Sequence, residues 1–203
     1  GPMTRIKICG LTRPEDVRYV NTAKPDWCGF ILNFPSSRRN VTPEQARALR
    51  AGLDPDIRPV GVFVDRPAEE VAALLNSGVI SVAQLHGRED DAYISVLRTL
   101  APGCVVWRAF QLRSQADLAA ADASGADLVL LDNGRGTGQT FDWSLAGSVH
   151  RPFLLAGGLT PESIPRAVAA LRPYGLDLSS GVETDGVKDP AKIQAAVTAA
   201  REE

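Results

Sequence analysis

The sequence predicts an α/β protein folded as one (β/α)8 barrel, also called a TIM barrel, over residues 3–203. Short aliphatic and β-branched runs return about every 20 to 30 residues, and each is followed by a stretch with helix-start signals. Strict alternation of strand and helix implies a parallel sheet with right-handed crossovers, and eight units close it into a barrel. An open doubly wound sheet is the alternative.

Eight segments have the apolar, β-branched pattern that is typical of strands. They are Arg5–Cys9, Trp27–Leu32, Pro59–Val64, Val82–His86, Val105–Phe110, Leu128–Asp132, Phe153–Ala156 and Leu176–Ser179.

Helices are predicted to follow most of these strands, because six start signals stand between them. Each signal places a hydroxyl or carboxylate before a proline or an acidic first turn. Proline has no N–H, which costs nothing in the first turn because that N–H would have no partner within the helix. Acidic side chains there interact favourably with the helix dipole. We expect Asp65, in one of these signals, to cap the helix that follows it. The signals begin at Thr12, Thr42, Asp65, Ser114, Thr160 and Lys188.

The composition favours a small-molecule partner. The formal net charge is -2, aromatic residues make up 6% of the chain, and lysines and arginines form no long run. This pattern predicts neither a nucleic-acid surface nor a membrane surface. No apolar stretch is long enough to span a bilayer and no signal peptide is evident, so we expect a cytoplasmic protein. Gly1-Pro2 is interpreted as a remnant of tag cleavage.

Cysteine and histidine counts argue against disulfides and metal sites. The three cysteines are an odd number without close pairing, which indicates free thiols. The only histidines are His86 and His150, too few for a metal held by several imidazoles. We therefore predict no metal.

Cys9 and Asp132 end two strands, and active sites of such barrels lie at these strand ends. Period-two alternation puts Cys9 on one face with Arg5 and Lys7, and a nearby ammonium would favour its thiolate. The alternative is an inert buried cysteine. Partial desolvation at the barrel mouth would favour the protonated carboxyl of Asp132 and let it act as an acid, unless it only bonds loop amides.

Two small-residue turns on adjacent strands predict a phosphate site. Gly157 and Gly158 follow the seventh strand, and Ser179, Ser180 and Gly181 follow the eighth. Small residues let backbone N–H groups approach phosphate oxygens. The alternative is that the glycine pair only makes a tight turn.

Three more side chains near strand ends are candidates for substrate contact. Arg38 and Arg39 follow the second strand, where a guanidinium can bind a carboxylate, although a solvated loop is the better explanation of the pair. His86 ends the fourth strand and either contacts substrate or bonds a loop carbonyl.

Seven motifs, in order from Lys7 to about Lys192, resemble those of the phosphoribosylanthranilate isomerase family. The most specific are K-I-C-G-L-T and D-L-S-S-G-V-E. The others are S-S-R-R-N-V-T-P-E-Q-A, G-V-F-V, Q-L-H-G, L-L-D with G-T-G-Q-T-F-D-W, and L-A-G-G-L-T-P-E.

The resemblance implies an Amadori rearrangement of N-(5'-phosphoribosyl)anthranilate in tryptophan biosynthesis, without metal or organic cofactor. It implies that Asp132 is the general acid and Cys9 the general base, and that Arg39 binds the anthranilate carboxylate. His86 and Asp177 fall near the substrate. The phosphate would lie on Gly157, Gly158, Ser179, Ser180 and Gly181.

Two alternatives stay open beside this interpretation. One is the bifunctional sugar isomerase of histidine and tryptophan synthesis, which has an aspartate where Cys9 stands here. The other is a non-catalytic barrel that only binds a phosphorylated ligand. Relatives occur as monomers and as homodimers, and the sequence does not distinguish these states.

Overall fold

A computed structural model describes residues 3–132 and 143–203 of the chain. Gly1-Pro2 and most of the glycine-rich motif after Asp132 lie outside the described residues.

The eight predicted strands form a closed parallel barrel. Each strand pairs with the next along the chain, and the last pairs with the first, so the sheet has no open edge. The predicted fold is therefore confirmed, and every strand boundary differs from its prediction by at most one residue. The strands are β1 (Arg5–Cys9), β2 (Trp27–Leu32), β3 (Arg58–Phe63), β4 (Val82–Leu85), β5 (Val105–Gln111), β6 (Leu128–Asp132), β7 (Phe153–Ala156) and β8 (Gly175–Leu178).

Seven α-helices surround the barrel in the part of the chain that the structure describes. Short 3-10 turns at Ala146–Ser148, Pro161–Ser163 and Ser180–Val182 supplement them. The helices are α1 (Pro14–Ala23), α2 (Pro43–Ala51), α3 (Ala68–Asn76), α4 (Asp91–Leu100), α5 (Gln115–Ala123), α6 (Ile164–Leu171) and α7 (Pro190–Arg201).

Side-chain caps explain several helix starts. Thr42 accepts a hydrogen bond from the Gln45 N–H at 3.1 Å before α2, and Asp189 accepts one from the Ala191 N–H at 2.9 Å before α7. The prediction that Asp65 caps α3 is wrong, because α3 begins at Ala68 after Pro67. Asp65 has a φ of 53° and instead accepts a hydrogen bond from the Arg88 N–H at 2.6 Å, in the neighbouring loop.

The two faces of the barrel sheet bury separate cores. Outward-facing residues such as Ile6, Ile8 and Phe30 pack against the helices. Inward-facing residues such as Trp27 and Leu130 fill the barrel. This inner core fills the middle of the barrel, and active sites of such barrels lie above it, at the carboxyl ends of the strands.

Two short strand pairs shape the rim above the carboxyl ends. Asn40–Val41 pairs in parallel with the end of β2 and returns the preceding loop to the barrel mouth. Glu183–Thr184 pairs antiparallel with Val187–Lys188, joined by Asp185 and Gly186 at positive φ. Two successive positive φ values are typical of the tight turns that join hairpin strands.

Candidate active site

One cavity of about 330 Å³ opens at the carboxyl ends of the strands. All ten residues to which the family resemblance assigns a role line it, although they come from six different strand ends or the loops beyond them. They are Cys9, Arg39, His86, Asp132, Gly157, Gly158, Asp177, Ser179, Ser180 and Gly181.

Cys9 ends β1 and is 8% exposed. Gly10 follows it with a φ of 88°, a conformation that side chains rarely adopt. A Cβ at Gly10 would also lie 2.5 Å from Cδ of Arg39 and 3.1 Å from Oγ of Ser179. The glycine after the cysteine therefore lets two other cavity residues approach the end of β1.

Lys7 lies inside the barrel below Cys9 and is fully buried. Its Nζ is 3.4 Å from the Cys9 Sγ, 2.7 Å from Oε1 of Gln84 and 3.3 Å from Oδ2 of Asp177. Burial acts to lower the pKa of Lys7, but the charges of Asp177 and Cys9 outweigh it and raise the pKa. The ammonium therefore keeps its charge at the floor of the cavity.

Burial of the Cys9 thiol is the largest influence on its pKa and raises it. Lys7 acts in the opposite direction, as the shared strand face predicts, but does not offset the burial. The carboxylate of Asp177 raises the pKa of Cys9 further. Cys9 is therefore held as a thiol, and Lys7 limits the cost of ionising it.

Asp132 ends β6 and lines the cavity on the side away from β1. In the ring of strands β7 and β8 separate it from Cys9. Leu128 and Leu130, which share its face by alternation, belong to the inner core. The face that the sequence left undecided is thus the barrel interior, and its last residue reaches the cavity.

The protonation of His86 follows from a chain of contacts that begins at Lys7. The ammonium donates to Oε1 of Gln84, which fixes the orientation of that amide. The amide Nε2 lies 3.3 Å from Nδ1 of His86 and can only donate. Burial lowers the pKa of His86, so the ring is neutral and carries its proton on Nε2.

Asp177 is the third side chain that contacts the Lys7 ammonium. Its side chain is 10% exposed, and only Oδ2 faces the lysine. Within the described part of the chain, Oδ1 is buried without a hydrogen-bond partner. A buried carboxylate oxygen of this kind is costly unless a ligand donates to it.

The two small-residue loops lie side by side above β7 and β8. Gly157 and Gly158 have φ values of 98° and 69°. At Gly181 a Cβ would lie 1.8 Å from the carbonyl oxygen of Leu159, so the loop after β8 packs directly on the backbone of the loop after β7. Close backbone packing of this kind requires glycine.

Of the adjacent arginines, Arg39 is among the residues that line the cavity, whereas Arg38 lines a smaller groove behind it. Both guanidinium groups bond to the carboxylate of Glu183. The loop that carries these arginines is therefore held to the rim by Glu183, and is not the solvated loop that the sequence allowed.

Sequence reasoning missed three polar residues of this region. Gln84 lies two residues before His86, the end of a predicted strand, and its polarity inside an apolar run is a usable signal. Glu183 and Lys188 lie on the hairpin after β8. Glu183 ends the D-L-S-S-G-V-E motif and Lys188 begins a helix-start signal, but neither signal indicates that the two side chains bond to each other.

Within residues 3–132 and 143–203, no group of three or more His, Cys, Asp or Glu side chains is arranged to hold a metal ion. None of the described helices has the length and apolar character needed to cross a membrane.

Comparison with known proteins gives one consistent result. The model of a family described as N-(5'phosphoribosyl)anthranilate (PRA) isomerase matches residues 6–199. An N-(5'-phosphoribosyl)anthranilate isomerase from Acetivibrio thermocellus is 41% identical, over 98% of this chain and 97% of that protein.

Solved structures agree with the sequence comparisons. Phosphoribosyl anthranilate isomerase from Thermus thermophilus has a TM-score of 0.84 and 38% identity, covering 97% of this chain and 98% of that one. A second structure of such an isomerase holds reduced 1-(o-carboxyphenylamino)-1-deoxyribulose 5-phosphate. It has a TM-score of 0.83 and 33% identity, covering 99% of this chain and all of that one.

Proposed function

The chain belongs to the N-(5'-phosphoribosyl)anthranilate isomerase family, and we propose that Cys9 and Asp132 supply the acid–base chemistry of its reaction. That reaction is the Amadori rearrangement of N-(5'-phosphoribosyl)anthranilate to 1-(2-carboxyphenylamino)-1-deoxyribulose 5-phosphate. The observation that carries the assignment is that both side chains face one cavity from non-adjacent strands. A sugar held between them can be protonated on one side and deprotonated on the other.

Asp132, as general acid, protonates the furanose ring oxygen. The bond from this oxygen to C1' breaks, and the lone pair of the anthranilate nitrogen forms a Schiff base with C1'. The positive charge on that nitrogen acidifies the proton on C2'. Cys9, as thiolate, removes this proton and leaves an enolamine, which tautomerises to the ketone. Protons move but no net oxidation of the molecule occurs, so the steps call for no external oxidant or reductant.

The Lys7 ammonium stabilises the thiolate that this mechanism needs. It lies 3.4 Å from Sγ and is kept charged by Asp177. Because the pKa of the thiol is raised, its ionisation is unfavourable. A thiolate formed against that cost is a strong base, and the cationic Schiff base appears next to it just before proton transfer.

The remaining cavity residues are proposed to orient the substrate. The loops after β7 and β8, with Gly157, Gly158, Ser179, Ser180 and Gly181, hold the phosphate. Arg39 takes the anthranilate carboxylate, and the aromatic ring packs against apolar residues of the lining, which include Ile31, Phe34 and Val62.

His86 and Asp177 are proposed to bind sugar hydroxyl groups. His86 is neutral and carries a donor on Nε2, whereas Oδ1 of Asp177 is a buried acceptor without a partner among the described residues. A hydroxyl group both accepts and donates, so this pair matches a polyol chain. Neither residue is assigned a proton-transfer step.

Three further properties are proposed on the same basis. The substrate is a small phosphorylated molecule, and a biosynthetic reaction of this kind is expected in the cytoplasm. The protein acts there as a monomer or a homodimer.

A fluorescence assay of phosphoribosylanthranilate consumption tests the proposal directly. We expect turnover by the purified protein without added metal or cofactor. For a Cys9→Ser variant in this assay, Cys28→Ser is the matched control. Cys28 is buried on the outer face of β2 and belongs to the core against the helices. A folded protein that binds the reduced product analogue but turns over no substrate would instead support the non-catalytic barrel.

A further inference from the structure

The carboxylate of Glu183 lies behind the cavity and holds three cations. Glu183 begins the hairpin of Glu183–Thr184 and Val187–Lys188, directly after the loop of Ser179, Ser180 and Gly181, which is called the phosphate loop below. Its side chain is 5% exposed. Oε1 accepts from Nη2 of Arg38 at 2.9 Å and from Nη2 of Arg39 at 2.7 Å. Oε2 accepts from Nε of Arg39 at 2.8 Å and from Nζ of Lys188 at 2.5 Å. Glu183 is not among the residues that line the 330 Å³ cavity, so it has no direct route to a ligand there.

The contact between Glu183 and Arg39 uses one edge of the guanidinium group. Both Nε and Nη2 donate to the carboxylate, and this two-point geometry fixes the plane of the group. The edge that carries Nη1 is left for another partner. Because Arg39 lines the cavity and its Cδ packs on Gly10 beside Cys9, that edge is available to a ligand anion.

Lys188 extends the cluster from Arg39 to the phosphate loop. Its side chain is 1% exposed, and its Nζ lies 3.3 Å from the carbonyl oxygen and 3.4 Å from Oγ of Ser179. The Ser179 hydroxyl donates in turn to the carbonyl oxygen of Cys9 at 3.1 Å. One set of contacts therefore joins the carboxylate-binding arginine, the phosphate loop and the end of β1.

We propose that Glu183 is a positioning residue, which presents the free edge of Arg39 to the substrate carboxylate and ties it, through Lys188, to the phosphate loop. The inference rests on the proposed role of Arg39. Three cations around one carboxylate leave the cluster with a positive charge, so the contact with Glu183 orients Arg39 without cancelling its attraction for an anion. The two anionic ends of the substrate would thus be held at a fixed separation, by side chains that share one buried partner.

Glu183→Gln tests the proposal, because the amide keeps the size of the side chain but offers only one acceptor atom. We expect KM to rise about tenfold, as for the loss of a charged hydrogen bond, while kcat stays within about threefold. Binding of the reduced product analogue should weaken by a similar factor. Binding of the same analogue without its ring carboxylate should be unchanged between the variant and the unaltered protein. Equal weakening of both compounds would show a general structural role and overturn the proposal.

The matched control is Glu70→Gln on α3. Glu70 also takes a two-point contact from an arginine, with Nε of Arg66 at 2.7 Å and Nη2 at 2.8 Å. Neither residue lines the cavity, so we expect no change in KM.

Two further variants separate this inference from the proposed function. If Arg39→Gln leaves KM unchanged, the role of Arg39 is wrong and the inference falls with it. If Arg39→Gln raises KM but Glu183→Gln does not, only the inference is overturned. Should Glu183→Gln fold poorly because Lys188 is left buried without its partner, Glu183→Gln with Lys188→Met removes that charge. The double variant must show the same rise in KM; a KM near that of the unaltered protein overturns the proposal.

Discussion

Nζ of Lys7 lies 3.4 Å from Sγ of Cys9, at the floor of a cavity whose walls come from the ends of the other strands. Both side chains are buried, and the lysine is held by two further acceptors. Proton transfer by Cys9 therefore depends on a charge that the fold places two residues earlier on the same strand. The alternation of β1 makes this possible, since residues two apart share a face.

Lys7→Met should make the Cys9 thiolate harder to form. The ammonium is the influence that lowers the pKa of Cys9 most, so its removal leaves only Lys188 to oppose burial and Asp177. We expect kcat/KM to fall by at least about tenfold at pH 7, and the pH at which activity reaches half its maximum to move upward. The pH profile of kcat/KM measures both effects.

Alkylation of Cys9 gives an independent measure of the same ionisation. The rate of iodoacetamide labelling follows the thiolate fraction, and mass spectrometry separates Cys9 from the other thiols. Burial raises the pKa of Cys28 to about 12, which makes it an unreactive internal reference. A labelling profile that does not move in Lys7→Met would contradict the assigned influence of Lys7.

Cys9→Ser and Asp132→Asn should each lower kcat by orders of magnitude, because each removes one proton-transfer group. The phosphate loops are untouched in both variants, so binding of the reduced product analogue should change little. Steady-state kinetics give kcat, and calorimetric titration gives the affinity for the reduced product analogue. Near-normal turnover by either variant would refute its assigned role.

The fold was predictable because the signals that determine it are local. Each strand of the barrel is a run of apolar residues, and alternation with capped helices leaves few ways to connect them. Asp65 shows the limit of that reasoning. Its position before a proline and two glutamates is typical of a helix cap, but its φ of 53° turns it toward the loop after β4. A backbone angle of this kind has no signature in the sequence.

The positions of the ten candidate residues were also predictable, since strand ends of a closed barrel must meet at one mouth. The direction in which the pKa of Cys9 shifts was not predictable from the sequence. Period-two alternation places Lys7 beside the thiol, but the size of the burial effect depends on how completely the barrel closes around it. Glu183 was missed because its partner Arg39 is more than 140 residues away in the chain, and Lys188 because it joins the site only through Glu183 and Ser179.

Gly181→Ala should disrupt the phosphate site and the packing of two loops. A Cβ there would lie 1.8 Å from the Leu159 carbonyl oxygen, so the backbone of one loop must move. We expect a loss of stability of about 2 kcal/mol or more, together with weaker binding of inorganic phosphate. Urea unfolding and a phosphate titration measure the two effects.

Gly103→Ala is the control for this substitution. Gly103 has a φ of 77° and nothing within 4 Å of its added Cβ, so it tests backbone strain without steric conflict. We expect a cost of about 1 kcal/mol and no change in phosphate binding. Equal effects of the two variants on phosphate binding would rule out the assigned role of the loop at Gly181.

Glu183→Gln should destabilise the protein at neutral pH and have less effect in acid. Burial acts to raise the pKa of Glu183, but hydrogen bonds from Arg39 and Lys188 outweigh it and lower the pKa to about 2. A carboxyl group with a lowered pKa in the folded state stabilises that state above its unfolded pKa, near 4.5, and loses this contribution as the pH falls toward 2. The contribution at pH 7 is of the order of 3 kcal/mol. Urea midpoints should therefore differ most between the two proteins above pH 5 and converge below pH 3.

Glu70→Gln, whose carboxylate is more exposed, should show a smaller difference across the same range. A difference for Glu183→Gln that stays constant from pH 7 to pH 3 would show that its charge contributes nothing to the free energy of unfolding.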